Sequence, residues 1–153
     1  MEKRRRSTID SDYELWTMIL HATDLIYDIR EKELARYGIT PRQAGILTVV
    51  DDFGGNVKLA DIAQVSNREP NSISTLVQRM ERNGLVTKQR DRQKKNVIRV
   101  SLTPRGEEIL PLASNRRMLH RIFSSLTEDE IAQMKTSLNK LMARGLLELN
   151  RLP

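Results

Sequence analysis

The sequence predicts a mainly α-helical fold that carries one small β-hairpin. Apolar residues recur at helical spacing through most of the chain, and proline-containing helix starts stand at residues 40–43 and 103–104. Only residues 85–102 change to β-prone runs. With 153 residues, 39% of them hydrophobic and 30% charged, the chain is expected to form a single globular domain with its own core.

The N-terminal part predicts a long helix behind a short basic arm. The arm, residues 2–6, is either a solvated terminus or a segment that reaches phosphates or a minor groove. Ser11 and Glu14 predict a capping box, and the helix is expected to run to about Tyr37, before Gly38. Its apolar seam is wide enough to pack against several helices, including those of another subunit: Leu15, Ile19, Ala22, Ile26 and Ile29.

Residues 40–82 predict three helices with a tight turn before the last one. Thr40, with Pro41 and Gln43, gives the first start signal, and a glycine-containing break follows at residues 52–56. A short helix is predicted at about residues 59–65, and Ser66 with Asn67 forms the turn. Two short helices joined in this way are typical of a helix-turn-helix.

The third of these helices divides into an apolar and a polar face. Its apolar stripe has a 3.6-residue period: Ile73, Leu76, Val77 and Met80. The opposite face has no carboxylate and offers groups that bind base edges and phosphates: Asn71, Thr75, Gln78 and Arg82, flanked by Ser72 and Arg79. Pro70 suits the first turn and Gly84 the C-terminal cap. An ordinary amphipathic surface helix is the simpler interpretation of this stretch taken alone.

The hairpin that follows is strongly basic. Residues 88–99 hold six cations and one anion, and residues 40–103 carry 11 basic and 6 acidic residues in a chain of net charge +6. A solvated charge cluster is the usual explanation of such a run. A hairpin directly after a helix-turn-helix can instead lie along the DNA backbone or in the minor groove, which is the interpretation we favour.

The C-terminal third predicts two further helices. Thr103 and Pro104 start the first, and Pro111 should bend it. Its apolar positions are Ile109, Leu112, Leu119, Ile122 and Phe123. Thr127 and Glu130 predict a capping box for the last helix. The apolar residues of that helix are Ile131, Met134, Leu138, Leu141, Leu146 and Leu149.

Other chemistry has little support in the sequence. There is no cysteine, and His21 and His120 stand on different predicted helices, so neither a metal site nor another cofactor is expected. No phosphate loop or catalytic triad order is present, and an enzyme is not expected. Without an apolar run of ~18 residues or a signal peptide, we expect a soluble cytoplasmic protein with no membrane contact. Trp16, Tyr27 and Tyr37 suit either a ligand cleft or helix packing.

The whole pattern resembles the MarR family of winged helix-turn-helix transcription regulators. The resemblance is carried by the segment 72–86 and by Val100-Ser101-Leu102-Thr103-Pro104-Arg105-Gly106, together with Leu126-Thr127-Glu128-Asp129-Glu130. It covers nearly the whole chain, residues 1–153, as one domain of this type. The implied fold is a winged helix-turn-helix lobe at residues 40–103, with N- and C-terminal dimerisation helices at residues 11–37 and 104–150.

The resemblance implies a homodimer that binds double-stranded DNA at a pseudo-palindromic operator, most simply as a repressor. A small phenolic or lipophilic effector would release it. The recognition helix would contact DNA through Asn67, Arg68, Asn71, Ser72, Ser74, Thr75, Gln78 and Arg79. The wing would use Arg90, Arg92, Lys94 and Lys95. The alternative is a winged-helix module that binds protein or RNA without operator specificity.

The wing departs from the family at one position. Family members usually carry Asp-x-Arg there, with the arginine in the minor groove, whereas here Asp91 is followed two places later by Gln93. The lysine pair at 94 and 95 implies looser, less shape-selective contact.

Overall fold

The structure, a computed structural model, describes residues 10–152. They form two compact units whose boundary falls between Arg116 and Arg117. The basic arm at residues 2–6 lies outside the described part. The helices are α1 (Ser11–Ala35), α2 (Pro41–Asp52), α3 (Leu59–Val65), α4 (Pro70–Arg82), α5 (Pro104–Ser114), α6 (Arg117–Phe123) and α7 (Glu128–Leu149). The strands are β1 (Asn56–Lys58), β2 (Val86–Arg90) and β3 (Ile98–Leu102).

Helix α1 begins and ends differently from the prediction. The capping box of Ser11 with Glu14 was wrong, because the Asp10 side chain accepts the backbone N–H of Asp12 at 3.1 Å and occupies the N-cap position. The helix ends at Ala35, and a turn then leads to Gly38, whose φ is +68°. A left-handed residue cannot continue a right-handed helix, so the glycine ends the segment as expected.

The three helices of the middle segment are confirmed. At the start of α2, the Gln43 N–H donates to Thr40 Oγ1 at 3.3 Å, and the Thr40 N–H donates to Gln43 Oε1 at 2.9 Å. This is the predicted reciprocal capping box. Helix α3 covers the predicted residues, and the turn behind it contains Asn67 in a left-handed conformation, with φ +48°.

The strands form one antiparallel sheet in the order β1-β3-β2. The hairpin β2–β3 was predicted, but β1 was not. Its three residues pair with β3, Val57 lying opposite Val100, and both side chains are fully buried. Because β1 is stabilised by a strand more than 40 residues later in the sequence, its own residues show no local pattern that predicts a strand.

The core of the first unit lies between α2, α3, α4 and the inner face of the sheet. Its largest fully buried side chains are Leu34, Leu47, Val50, Val57, Ile62, Ile73, Val77, Met80, Leu85, Val86 and Val100. They come from most elements of the unit, including the end of α1. Burial of the α4 stripe therefore turns the other side of α4 outward.

The C-terminus of α4 is joined to the end of the hairpin. The Gly84 N–H donates to the Glu81 carbonyl and the Leu85 N–H to the Met80 carbonyl, each at 2.9 Å, which is a Schellman cap around Gly84 at φ +71°. Thr103 returns to this cap, since its N–H donates to Leu85 O at 3.1 Å and its hydroxyl to Gly84 O at 2.5 Å. A Cβ at Gly106 would overlap the carbonyl of Leu85, which explains the glycine of the Leu-Thr-Pro-x-Gly segment.

The single bent helix predicted after Thr103 was wrong, because α5 stops at Ser114 and α6 begins at Arg117. Asn115 leaves the helical region with ψ 87°. The Ala113 carbonyl, which would accept the N–H of residue 117 in a continuous helix, instead accepts the buried guanidinium of Arg30. A long-range hydrogen bond thus replaces the helical one.

The second unit contains α6 and α7. Thr127 and Glu130 form the predicted capping box at the start of α7, with bonds of 2.8 and 3.2 Å. Helix α7 carries no buried residue, although it is rich in leucine and methionine. None of the helices within residues 10–152 combines the length and apolarity needed to cross a membrane.

Candidate nucleic-acid interface

The outer face of α4 is a continuous polar surface. Ile73, Val77 and Met80 are buried beneath it. Every predicted contact residue of the helix is exposed: Asn71, Ser72, Ser74, Thr75, Gln78 and Arg79. Asn67 and Arg68 are exposed as well and lie in the turn that leads into the helix. The buried stripe therefore fixes which side chains can reach a major groove.

Asn71 and Thr75 differ in what they offer to a base. The Thr75 hydroxyl donates to the Asn71 carbonyl at 3.0 Å, so the outward part of Thr75 presents an acceptor oxygen and a methyl group. Within residues 10–152, no hydrogen bond engages the Asn71 amide. A free carboxamide can bind adenine through two hydrogen bonds, whereas a methyl group suits thymine.

A concavity of about 570 Å³ brings part of the predicted site together. From α4 and the preceding turn it is lined by Arg68, Asn71, Ser72, Thr75 and Arg79. Tyr27 of α1 and the residues Thr40, Arg42 and Gln43 at the start of α2 complete its wall. Asn67, Ser74 and Gln78 are not among its lining residues. Of the three aromatic candidates for a ligand cleft, only Tyr27 borders this concavity.

A side chain of α4 ties the helix to the wing. The carboxylate of Glu81 accepts the backbone N–H of Lys88 at 2.9 Å and lies 3.6 Å from the Lys88 ammonium group. Sequence reasoning did not single out Glu81, because the tie depends on strand β2 lying beside the last turn of α4. Through this bond the helix and the base of the wing are held in one relative position.

The wing cations fall into two groups. Lys88 is paired with Glu81, and Arg99 Nε donates to Asp91 Oδ2 at 2.5 Å. The four predicted wing residues form no ion pair within the described part of the chain and are exposed: Arg90, Arg92, Lys94 and Lys95. Arg90 and Arg92 line a second concavity of about 480 Å³, while Lys94 and Lys95 lie in the tip turn. The two cations that form ion pairs thus lie in the strands, Lys88 in β2 and Arg99 in β3.

The carboxylate of Asp91 organises the tip. The Arg99 guanidinium and the backbone N–H groups of Lys94 and Gln93 hold the pKa of Asp91 well below its usual range. Asp91 is therefore ionised at neutral pH. Sequence reasoning named it only as a departure from the family pattern and missed its partner Arg99, which also donates to Asn56.

Both histidines are exposed side chains. His21 lies on α1 in the first unit, and His120 lies on α6 in the second.

Comparison with known proteins shows which family this site resembles. Residues 37–95, which include α2 to α4 and most of the wing, match the family model of the MarR family. The uncharacterised HTH-type transcriptional regulator YsmB of Bacillus subtilis is 29% identical over 123 residues, covering 79% of this chain and 84% of YsmB. The HTH-type transcriptional repressor MdtR of the same organism is 28% identical over 106 residues, covering 67% and 66%.

Solved structures agree with the sequence relatives. The ligand-free crystal structure of the organohalide-sensing transcriptional regulator RdhR-CbdbA1625 matches with a TM-score of 0.87 and 25% identity, covering 95% of this chain and 88% of that one. Its 2,4-dichlorophenol-bound form matches with a TM-score of 0.86. The helix-turn-helix and most of the wing thus match the MarR family model, and the fold of the chain is similar to that of winged helix-turn-helix regulators of known structure.

Proposed function

We propose that the chain is a homodimeric repressor that binds a pseudo-palindromic operator and is released from it by a small lipophilic or phenolic effector. The observation that carries the proposal is the outer face of α4, which is exposed along its length and lacks a carboxylate. Such a face suits a major groove, where base edges are read by amides, hydroxyls and guanidinium groups. The free wing cations beside it suit the phosphates.

The proposal of a homodimer is supported by apolar surface that the chain itself leaves uncovered. Large apolar side chains of α1 are more than half exposed: Tyr13, Leu15, Trp16, Met18 and Leu25. On α7 the same holds for Met142, Leu147 and Leu149, and Leu141 is half exposed. Large exposed apolar patches mark interaction sites. A second copy of the chain would bury such faces in a symmetric interface.

The proposal of effector release is supported by the concavity beside α4. Its wall combines Tyr27 of α1 with Asn71, Thr75 and Arg79, which are expected to face DNA. A ligand seated there would contact side chains that the operator needs, so ligand and DNA would compete. The relative RdhR-CbdbA1625, crystallised with 2,4-dichlorophenol, gives the chemical class to test first. The relative MdtR, a repressor, supports repression as the direction of control.

The test is a salt-titrated binding assay on three nucleic acids. The duplexes are the intergenic region beside the gene and a scrambled version of it, and the third ligand is a single-stranded RNA of equal length. We expect the intergenic duplex to bind at least ~10³-fold more tightly than the scrambled one, as specific complexes do. Equal affinity for both duplexes, or preference for the RNA, would favour the interaction module over the operator-binding regulator.

The same assay tests the wing. Lys94→Ala combined with Lys95→Ala should weaken binding to both duplexes by one common factor and lower the salt slope by up to ~1–2 per subunit, because phosphate contacts release counterions without reading sequence. The matched control is Lys94→Arg with Lys95→Arg, which keeps the charge and should keep the slope. Unchanged binding of the alanine variant near 150 mM salt, about physiological, would mean that the wing tip does not touch DNA.

A further inference from the structure

The wing contains one acidic side chain, and it is almost fully engaged. Among residues 88–99 only Asp91 carries negative charge, and its side chain is 15% exposed. Its Oδ1 accepts the backbone N–H groups of Gln93 at 2.9 Å and Lys94 at 3.0 Å, while its Oδ2 accepts Arg99 Nε at 2.5 Å. Both carboxylate oxygens are therefore committed inside the wing.

The bonds of Asp91 continue across the sheet. The guanidinium of Arg99 also donates from Nη1 to Asn56 Oδ1 at 3.1 Å, and Asn56 Nδ2 donates to Ser101 Oγ at 3.0 Å. Asn56 belongs to β1, and Arg99 and Ser101 belong to β3. The chain of hydrogen bonds thus connects the loop at the tip of the wing to the opposite edge strand of the sheet.

The tip itself has a defined shape. The Asp91 N–H donates to the Val97 carbonyl and the Val97 N–H to the Lys94 carbonyl, each at 2.8 Å. The second bond closes a β-turn with Lys95 and Asn96 at its centre. The first half of the loop has no such backbone turn of its own and follows the Asx-type turn made by Asp91. Removing that carboxylate would leave the N–H groups of Gln93 and Lys94 without these hydrogen bonds.

We propose that Asp91 is a positioning residue for DNA binding, which shapes the tip loop so that Arg92, Lys94 and Lys95 are presented to the phosphates. Arg99 serves as its counterion and its anchor to the sheet, and does not contact DNA. The inference rests on the proposed contact of the wing with DNA. A loop ordered before binding loses less conformational entropy on binding, so the same cations bind more tightly.

Simple electrostatics gives the opposite expectation. Replacing Asp91 by a neutral residue removes a negative charge from a DNA-binding surface and releases Arg99 from its ion pair. If charge alone mattered, every neutral substitution would tighten binding. For Asp91→Ala, positioning predicts weaker DNA binding, whereas charge alone predicts tighter DNA binding.

The experiment compares Asp91→Ala with Asp91→Asn, which change the charge equally. Asparagine keeps an acceptor oxygen for the N–H groups of Gln93 and Lys94, whereas alanine does not. We expect D91N to bind duplex DNA as tightly as the unmodified protein or up to roughly fivefold more tightly. D91A should bind roughly tenfold more weakly than D91N. In free protein, amide exchange at Gln93 and Lys94 should accelerate in D91A only.

A double-mutant cycle separates positioning from a general loss of fold. The lysine-to-alanine pair at residues 94 and 95 should lower affinity and salt slope much less in the D91A background than in the unmodified one. Thermal unfolding by circular dichroism checks that D91A folds. If D91A does not fold, Asp91→Ser takes its place. Its affinity for duplex DNA should lie between the affinity expected for D91A and that of D91N.

Each other outcome overturns the inference in a distinguishable way. Equal affinities of D91A and D91N, both tighter than the unmodified protein, would show that Asp91 acts through charge alone. Equal cost of the lysine pair in both backgrounds would show that Asp91 does not present these lysines. If the lysine pair has no effect even in the unmodified protein, the proposed wing contact fails, and the inference fails with it, whatever the exchange data show.

Discussion

A chain carrying Leu138→Lys together with Leu141→Lys is expected to sediment as a monomer and to lose most of its operator binding. Both leucines lie on the exposed apolar face of α7, where they are 39% and 50% exposed in the isolated chain. Burial of a leucine contributes ~1.5–3 kcal/mol, and a symmetric interface would lose four of them and acquire four charges. Losing the second DNA-binding lobe should weaken operator binding by ~10²–10⁴-fold.

Sedimentation velocity and titration with a full operator and a single half-site measure both effects. The half-site affinity should change little, because the recognition helix is untouched. The control is Thr136→Lys with Ala143→Lys, which adds the same charge to exposed positions on the side of α7 opposite Leu138 and Leu141. It should remain a dimer. A dimer that persists in the leucine variant would show that these leucines do not hold the subunits together.

Asn71→Ala is expected to weaken operator binding by roughly 1–3 kcal/mol for each half-site and to leave binding to scrambled DNA unchanged. Its amide is free and faces away from the buried stripe of α4, so it can meet a base edge. Thr75→Ala is expected to show the same selectivity. A dimer would place two such helices on half-sites about 10 bp apart.

Two controls identify the contacts. Adenine N7 is the acceptor that an asparagine amide would bind, and 7-deazaadenine lacks it. Operator DNA containing 7-deazaadenine should therefore bind the unmodified protein more weakly, whereas its binding to the Asn71 variant should not change. Thr75→Val keeps the methyl group and loses the acceptor oxygen, so it separates the two contacts that Thr75 offers. Equal losses of affinity for operator and scrambled DNA would mean that these residues contact only the DNA backbone. No loss on either would mean that α4 does not face DNA.

Features governed by neighbouring residues could be predicted from the sequence. The capping boxes of Thr40 and Thr127 each depend on a side chain three residues later, and both are present. The outward face of α4 followed from its apolar period. The start of α1 was wrong by one residue because Asp10 and Ser11 are both good caps, and the spacing to Glu14 selected the second.

Features governed by distant contacts could not be predicted. Strand β1 exists because Val57 pairs with Val100, and the break before α6 coincides with the bond from Arg30 to Ala113, 83 residues away. The same holds inside the site. The six cations of the wing look alike in the sequence, and only the carboxylates of Glu81 and Asp91 separate the two paired cations from the four free ones.

The bonds from Thr103 to the carbonyls of Gly84 and Leu85 have an evolutionary consequence. They hold the two ends of the wing segment together at the cap of α4, so the segment leaves and re-enters the lobe at one fixed point. Doubling the length of a flexible loop adds only about 0.6 kcal/mol of closure entropy. Insertions and deletions at the tip can therefore accumulate without moving the recognition helix, and the reach of the wing along DNA can evolve separately from base recognition.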